Sequence, residues 1–365
     1  MSDRHVERIG RAADEAERRG LDALVVSPSP DLAYLTGYAP IPFERPTLLV
    51  IRPGAEPAMM VPQLERPLAA VSAVGDRLEL VAWRDGEDPY EAAARLLAGA
   101  ARIAVADRLW ASHLLGLQRA LPSASFSAAS AVLGRLRAVK DGEELDALRR
   151  AGAAADETFR SVLELPFEGR REEEVARDLA DLLVRHGHAK AEFTIVASGP
   201  NAASPHHEPG DRTIRPGDAV VMDFGGELGG YFSDTTRTVV VGEAPEGFAE
   251  AYEVVRLAQA AGVDAVRPGA IAQQVDRAAR AVVDAAGYGD RFIHHTGHGI
   301  GLEVHEPPYI VEGDETPLEP RMTFSVEPGI YLEGRFGIRI EDIVAVTTDG
   351  VERLNRGSRD LQVVA

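Results

Sequence analysis

Residues 222–238 read MDFGGELGGYFSDTTRT and place two carboxylates on consecutive predicted strands. Asp223 precedes a glycine-rich turn, Asp234 follows it, and the two residues are eleven positions apart. An odd separation allows two residues to lie directly opposite each other on one face of an antiparallel hairpin. Buried carboxylates that face each other repel, and metal coordination is a common remedy. We therefore predict a metal-binding hairpin; the alternative is that one or both carboxylates point to solvent.

Further candidate ligands follow later in the chain. Six of the ten histidines fall between positions 206 and 305, and His298 lies between two glycines in HHTGHGIGLEVHE, residues 294–306. Glu327 and Glu341 lie in the strand-like segments SVEPGIY and RIEDIV, and Arg339 should share a strand face with Glu341. One histidine with four carboxylates makes a hard, oxygen-rich site. Such a site suits a pair of Mn²⁺, Co²⁺ or Fe²⁺ ions better than a closed structural zinc.

The composition of the sequence excludes several classes of function. The 365 residues include no cysteine, and the sequence has no GxSxG, Walker A or HExxH motif, so a metal-activated water is the natural nucleophile. The net charge of −19 argues against nucleic acid or an anionic membrane as a partner. No apolar run approaches the ~20 residues of a membrane helix. The charged start MSDRHVERIG lacks a signal-peptide core, so we expect a cytoplasmic protein.

The pattern along the chain predicts an α+β protein with two domains. Strand-like and helical segments alternate over residues 1–125, which indicates a small mixed α/β domain. Residues 126–145 are predicted to be a linker and the start of a long helix capped by Asp141. Residues 146–365 combine helices with antiparallel hairpins and carry every candidate ligand.

The second half resembles the pita-bread metallopeptidases, the family of methionine aminopeptidase, aminopeptidase P, prolidase and creatinase. The resemblance is carried, in order, by SGPNAASPHH, MDFGG, SDTTRT, HHTGHGIGLEVHEPPYI, FSVEPGIY and GIRIEDIV. The segments DLAYLTGY and LRAVKDGEELDALRRA are similar to the two-domain, proline-directed branch. The resemblance implies a creatinase/prolidase-like N-terminal domain, a catalytic pita-bread domain and a homodimer.

The resemblance also assigns roles to individual residues. It implies two divalent ions per subunit, manganese first, with cobalt, iron or zinc as alternatives. His206 and His305 match histidines that contact the substrate and stabilise the tetrahedral intermediate, and His294 falls where the family lines the proline pocket. Glu327 would also act as a proton shuttle. The implied metal ligands are Asp223, Asp234, His298, Glu327 and Glu341.

The substrate class stays open between two peptidases. The expected activity is that of an Xaa-Pro dipeptidase (prolidase), which acts on small peptides with proline in second position. Many prolidases resembling this chain carry an arginine four residues after the second catalytic histidine, but here that residue is Tyr309. This departure favours an Xaa-Pro aminopeptidase unless another cation, such as Arg45, binds the substrate carboxylate. The resemblance implies that the N-terminal domain can approach the active site of a partner subunit, and Asp31 and Arg45 flank the segment expected to do so. More distant alternatives are a non-catalytic binding protein, a non-peptidase hydrolase or lyase, and a metal-storage protein.

Overall fold

The structure is a computed structural model that describes residues 2–365. The chain forms two compact units: the first ends at Arg137 and the second spans Ala138–Ala365. Both contain helices and sheets, which confirms the predicted α+β class. Within the described range, no helix combines the length and the apolar character that a membrane crossing requires.

The first unit is built on one six-stranded sheet. Its elements are α1 (Ser2–Arg18), β1 (Ala23–Val26), α2 (Pro30–Thr36), β2 (Leu48–Ile51), β3 (Ala58–Pro62), α3 (Arg66–Ala70), β4 (Glu79–Trp83), α4 (Pro89–Leu96), β5 (Arg102–Val105), α5 (Ala111–Ala120), β6 (Ser125–Ala128) and α6 (Ser130–Ala138). The strand order is β4-β3-β2-β1-β5-β6. The four inner strands coincide with the strands that the apolar segments LDALVV, TLLVI, AMMVP and ARIAVA predict. The two edge strands, β4 and β6, were not predicted. β6 (SFSA) is short, largely exposed and lacks an apolar run, whereas β4 (ELVAW) has a short apolar run that is half-buried at the sheet edge.

The segment between the units differs from the predicted linker. Residues 126–128 belong to β6, which pairs in parallel with β5, and α6 follows. The small residues of this segment gave no period from which to infer either element. The predicted cap is present: the Asp141 side chain accepts a hydrogen bond from the backbone N–H of Glu144 at 2.9 Å, and the Glu144 side chain accepts one from Asp141 at 2.8 Å. This capping box starts the helix α7 (Gly142–Val162).

The second unit consists of two halves of similar construction. Its elements are α7 (Gly142–Val162), α8 (Glu172–Arg185), β7 (Lys190–Ser198), β8 (Ala219–Leu228), β9 (Tyr231–Phe232), β10 (Thr235–Val241), α9 (Phe248–Asp264), α10 (Ala272–Ala285), β11 (Gly297–Gly299), β12 (Glu306–Ile310), β13 (Thr323–Val326), β14 (Gly329–Leu332), β15 (Phe336–Arg339), β16 (Asp342–Val346), β17 (Val351–Arg353) and β18 (Gln362–Val364). The sheet of the first half has the order β18-β10-β8-β7, with β9 beside β8, and the sheet of the second half has the order β12-β11-β13-β16-β17; β14 and β15 form a separate hairpin.

In each half, a pair of helices packs on the sheet. Helices α7 and α8 pack on the first sheet through Phe159 and Leu179, and α9 and α10 pack on the second through Val263 and Val275.

The register of the central hairpin corrects one prediction. Asp223 on β8 lies opposite Thr236 on β10, not opposite Asp234. The turn is the reason: Leu228 pairs with Tyr231, so the two-residue loop is Gly229-Gly230, with φ values of 64° and 86°. Positive φ at both loop positions is typical of a type I′ turn, which glycine accepts without strain. Asp234 is two residues before the partner of Asp223, and therefore diagonal to it on the same face.

A buried ion cluster anchors the start of β16. The Asp342 carboxylate is fully buried and accepts hydrogen bonds from Arg237 at 2.7 Å, Arg353 at 2.7 Å and Arg359 at 3.0 Å. Burial alone would raise the pKa of Asp342, but the charge and hydrogen bond of Arg237, with the other two guanidinium charges, lower it below its ordinary value. The cluster therefore fixes the backbone directly after Glu341, one of the candidate ligands.

We predict that Asp342→Asn destabilises the protein by about 3 kcal/mol, because it leaves the buried Arg237 charge without its counter-charge. The measurement is urea unfolding of the metal-free protein. Asp349→Asn, at an exposed position on the loop after β16, is the matched control and should stay within about 0.5 kcal/mol of the parent. A loss below about 1 kcal/mol in Asp342→Asn would mean that the cluster contributes little net stability.

Candidate metal centre

A cavity of about 400 Å³ in the second unit gathers most of the residues singled out from the sequence. The other lining side chains are apolar or were given no direct role, namely Phe193, Ile195, Pro205, His295 and Val304. The residues from the sequence analysis that line it are His206, Asp223, Asp234, His294, His298, His305, Glu327, Arg339 and Glu341. The set spans more than 130 sequence positions, so only the tertiary fold brings it together.

Three overlapping groups in this cavity have the composition of metal sites. In each group the candidate ligand atoms lie within 4.8 Å of one another. Because the groups share members, they describe one centre. The groups are Asp234, His298 and His305; His298, Glu327 and Glu341; and Asp223, Asp234 and Glu341.

The candidate ligands lie on, or directly beside, strands of both halves. Asp223 is on β8, and Asp234 directly precedes β10. His298 is the middle residue of β11, Glu327 follows β13, and Glu341 precedes β16. The two sheets of the unit therefore meet at the cavity, and each contributes ligands from its strands.

Glycines beside His298 let β11 pack closely enough to present the imidazole. A Cβ on Gly297 would overlap the Ser325 carbonyl, and a Cβ on Gly299 would overlap the carbonyls of Glu306 and Pro307. The backbone of His298 donates a hydrogen bond to Ser325 Oγ at 3.0 Å, which fixes β11 against β13. His298 Nε2 then lies 3.3 Å from Glu327 Oε1 and 3.6 Å from Asp234 Oδ2.

Two carboxylates each have one satisfied and one unsatisfied oxygen. Asp223 Oδ2 accepts a hydrogen bond from Arg339 at 2.6 Å, and Glu341 Oε2 accepts one from Thr236 at 2.6 Å. Asp223 Oδ1 and Glu341 Oε1 are buried and have no hydrogen-bond partner in the described part of the chain. A buried carboxylate oxygen without a donor is costly, and a divalent cation would satisfy both atoms. The donor set therefore fits hard divalent metal ions.

Electrostatics lead to the same conclusion. Burial, and then repulsion from neighbouring carboxylates, raises the pKa of Asp234 and of Glu341 well above their ordinary values. The pKa of Asp223 is also raised, since burial outweighs the charge of Arg339. Burial would raise the pKa of Glu327 too, but the hydrogen bond and charge of His298 bring it to about 2. Without cations the cluster favours protons on several carboxylates, and bound dications would reverse that preference.

Arg339 neutralises the cluster from a different position than expected. It ends β15, whereas Glu341 lies in the link between β15 and β16, so the two residues do not share one strand face. The guanidinium is nevertheless buried and donates hydrogen bonds to Asp223, to Thr236 Oγ1 at 3.0 Å and to the Tyr331 hydroxyl at 2.9 Å. The pKa of Arg339 is well above its ordinary value: burial opposes this, but Tyr331 and the surrounding carboxylates outweigh it.

Two of the cavity histidines are held neutral. Burial lowers the pKa of His294 to about 4 and that of His305 to about 4. His294 Nδ1 donates to the His295 carbonyl at 2.7 Å, and Nε2 lies 2.8 Å from the Tyr331 hydroxyl. The His305 ring lies beside His298, with 3.8 Å between ring centroids. Near pH 7 both imidazoles can offer hydrogen bonds without adding charge.

Sequence reasoning omitted Phe193 and Ile195, the apolar cavity residues on β7. They are two positions apart and face the cavity together, so the strand period was the available signal. Tyr331 was also omitted. Its role is visible only in the structure, because it joins His294 to Arg339 across three separate segments.

Three of the predicted substrate residues do not line this cavity. Tyr309 on β12 is partly exposed and lies opposite His298 in the strand register, with its ring 6.3 Å from that of His295. Arg45 and Asp31 belong to the first unit. Arg45 forms a two-point pair with Asp85 at 2.8 and 2.9 Å, and Asp31 accepts from Arg137 at 2.8 Å.

A two-unit fold with a buried carboxylate and histidine centre defines the class of metal-dependent hydrolases. The sequence matches metallopeptidase family M24 over residues 146–348 and the creatinase/prolidase N-terminal domain over residues 8–139. The chain belongs to metallopeptidase family M24. It is therefore a peptidase, and the family implies divalent metal ions at its centre.

Similar proteins cover the chain from end to end. It is 46% identical over 363 residues to the probable dipeptidase PepE of Mycobacterium tuberculosis, covering 99% of this chain and 96% of that one. It is 37% identical to the Xaa-Pro dipeptidase of Lactobacillus delbrueckii subsp. lactis, covering 95% of this chain and 96% of that one. Its fold matches the crystal structure of dipeptidase PepE from Mycobacterium ulcerans with a TM-score of 0.96 and 46% identity, over 100% of this chain and 98% of that one.

We predict that Glu341→Gln leaves the metal-free protein at least as stable as the parent, with an unfolding temperature about 3 °C higher. The substitution removes one of several mutually repelling carboxylates but keeps an acceptor for Thr236. In contrast, Mn²⁺ should raise the unfolding temperature of the parent much more than that of the variant. Thermal unfolding with and without Mn²⁺ measures both effects. Exposed Glu333→Gln is the control, and a large loss of stability in metal-free Glu341→Gln would contradict the electrostatic account.

We also predict a pH effect from His294. Its pKa is about 4 in the folded protein against an ordinary 6.5, so the unfolded chain binds the proton first as pH falls. The metal-free parent should therefore lose stability from this residue between about pH 6.5 and pH 4. His294→Gln should lose less over the same range, as measured by urea unfolding at several pH values. Parallel stability curves for the two proteins would count against the buried neutral imidazole.

Proposed function

We propose that this peptidase is an Xaa-Pro dipeptidase (prolidase) that depends on divalent metal ions. The observation that carries the proposal is one cavity in which the full candidate ligand set lies beside His206, His294 and His305. The relative named Xaa-Pro dipeptidase, 37% identical over nearly the whole chain, supports the substrate class.

In this proposal the metal ligands are Asp223, Asp234, His298, Glu327 and Glu341, and the expected metal is Mn²⁺. The unsatisfied oxygens of Asp223 and Glu341 support the assignment. When bound, such ions would polarise the carbonyl of the scissile bond and supply an activated water. Arg339 and Thr236 would keep Asp223 and Glu341 oriented toward the ions.

The remaining cavity residues would act on the peptide. His305 is neutral near pH 7 and can donate a hydrogen bond to the carbonyl oxygen as negative charge develops there. His206, which lies on a different segment of the chain, would donate a second hydrogen bond to that oxygen. Glu327 lines the cavity with a carboxylate oxygen 3.3 Å from His298, and it would accept a proton from the attacking water and return it to the leaving nitrogen. His294, fixed by Tyr331, would line the space for the proline ring.

An Xaa-Pro aminopeptidase is the second candidate, because Tyr309 replaces the arginine expected of many prolidases. We propose Arg45 as the cation that would replace this arginine and bind the substrate carboxylate. Its guanidinium is paired with Asp85 and Glu44, but these are exposed pairs of the kind that contribute little energy, so a substrate carboxylate could compete for it. A homodimer and a cytoplasmic location are also proposed; the latter rests on the absence of cysteine.

The test is hydrolysis of Ala-Pro, Ala-Pro-Ala and Ala-Ala by Mn²⁺-loaded protein. We expect proline release from Ala-Pro, with kcat reduced about 100-fold in His305→Ala. His186→Ala, a histidine outside the cavity that is hydrogen-bonded to Ser161, is the matched control and should keep full activity.

The other outcomes assign other activities. Cleavage of Ala-Pro-Ala alone would establish the aminopeptidase, and equal cleavage of Ala-Ala would establish a dipeptidase without proline preference. If none of the three peptides is cleaved by protein that binds Mn²⁺, the proposed substrate class is wrong.

A further inference from the structure

One buried carboxylate outside the metal centre organises the segment that carries His206. This segment, residues 198–210, begins at the last residue of β7 and contains a short 3-10 helix (Gly199–Ala203), and we call it the His206 loop. Glu172, the first residue of α8, has a side chain with 0% exposure that points into this loop. A buried carboxylate is tolerated only where donors surround it.

Glu172 receives hydrogen bonds from the start, the middle and the end of the His206 loop. At the start, the backbone N–H of Ser198 donates at 2.7 Å and its hydroxyl at 2.6 Å. In the middle, Asn201 Nδ2 lies 3.1 Å from both carboxylate oxygens, and His207 Nε2 lies 2.8 Å from Oε2. At the end, the N–H of Gly210 donates at 3.4 Å. One side chain thus sets the path of thirteen residues.

Capping of α8 does not account for this arrangement. The capping box of that helix uses Glu174, whose side chain accepts from the backbone N–H of Arg171 at 2.8 Å. The donors to Glu172 are 26 to 38 positions away in the sequence. The carboxylate therefore serves the His206 loop and not its own helix.

The imidazole of His206 depends on its neighbours for its position. It lines the cavity, and no hydrogen bond to its ring occurs among the described residues. Both adjacent residues are held: the Pro205 carbonyl accepts from Arg339 at 3.4 Å, and the His207 ring is bonded to Glu172. The first contact joins the loop to the metal centre, and the second joins it to α8.

We propose that Glu172, through His207, is a positioning residue that holds His206 in place for peptide hydrolysis. This inference rests on the proposed function, because it takes His206 to contact the substrate. Burial alone would raise the pKa of Glu172, but hydrogen bonds from Ser198, His207 and Asn201 lower it below its ordinary value. The carboxylate is therefore ionised near neutral pH, and its hydrogen bonds are charge-assisted.

The test is a double-mutant cycle in the Mn²⁺-loaded full chain with Ala-Pro as substrate. Glu172→Gln keeps an acceptor for Ser198 but turns an amide toward His207 and Gly210. We expect kcat to fall about 10-fold to 100-fold, with KM changed less than about 2-fold, since a small displacement of a group that acts in the transition state has effects of this size. In a His206→Ala background the same substitution should cost less than about 2-fold, because the two residues act as one unit.

Two further variants separate positioning from loss of structure. His207→Ala removes only the hydrogen bond between His207 and Glu172 and changes a partly exposed residue, so this variant should fold. It should show the same non-additivity even if Glu172→Gln does not fold. Asp156→Asn changes another buried carboxylate, which accepts from the backbone of Arg356 away from the cavity-lining residues. It should lower the unfolding temperature without changing kcat. Bound Mn²⁺ per subunit should be the same in all variants.

The outcomes distinguish this inference from the function on which it rests. Non-additive losses support it. The positioning role is wrong, and the proposed function stands, if His206→Ala lowers kcat but Glu172→Gln and His207→Ala do not. The same conclusion follows if the reductions in kcat caused by Glu172→Gln or His207→Ala multiply with the reduction caused by His206→Ala. If His206→Ala itself leaves kcat unchanged, the assigned role of His206 is wrong, and the role of Glu172 fails with it.

Discussion

Repulsion among four carboxylates that are buried or partly buried is the constraint around which the second unit is built. Asp223, Asp234, Glu327 and Glu341 line one cavity, and their atoms approach within a few ångströms. Desolvation and mutual repulsion each disfavour the ionised state of such groups. The protein itself supplies only partial compensation, through the Arg339 guanidinium, the Thr236 hydroxyl and the His298 imidazole. Divalent metal ions would complete it, and for this reason the same residues that cost stability without metal would bind metal well.

The fold meets this constraint by bringing two sheets to one cavity. Each sheet is supported by its own pair of helices, so the strands that carry the ligands are held by apolar packing. Close approach of β11 to its neighbours requires Gly297 and Gly299, because any side chain there would overlap adjacent carbonyl groups. The Asp342 cluster adds a second ion network directly beside Glu341. In this network three arginines pair with the Asp342 carboxylate and stabilise its ionised form.

The contrast between Asp234 and Glu172 shows what decides the state of a buried carboxylate here. Both are buried, yet the pKa of Asp234 is raised well above its ordinary value and that of Glu172 is lowered. Burial is the largest influence on both groups and acts in the same direction. Glu172 is surrounded by donors from the His206 loop, whereas the charges that shift the pKa of Asp234 most are those of other carboxylates. The first arrangement suits a structural anchor for a loop, and the second suits a site that binds cations.

By itself, the sequence determined the α+β class and most of the inner strands, because these follow from local periodicity and turn residues. It also determined which residue types, carboxylates and histidines, lie at the metal centre, because these follow from the order of such residues along the chain. Only the tertiary structure decided which groups touch. The Gly229-Gly230 turn set the hairpin register and placed Thr236, not Asp234, opposite Asp223. Arg339 reached Asp223 from the end of β15, and Glu172 reached His207 across 35 positions. Contacts of this kind depend on hydrogen-bond register and on packing between distant segments, and neither is encoded in the spacing of residues along the chain.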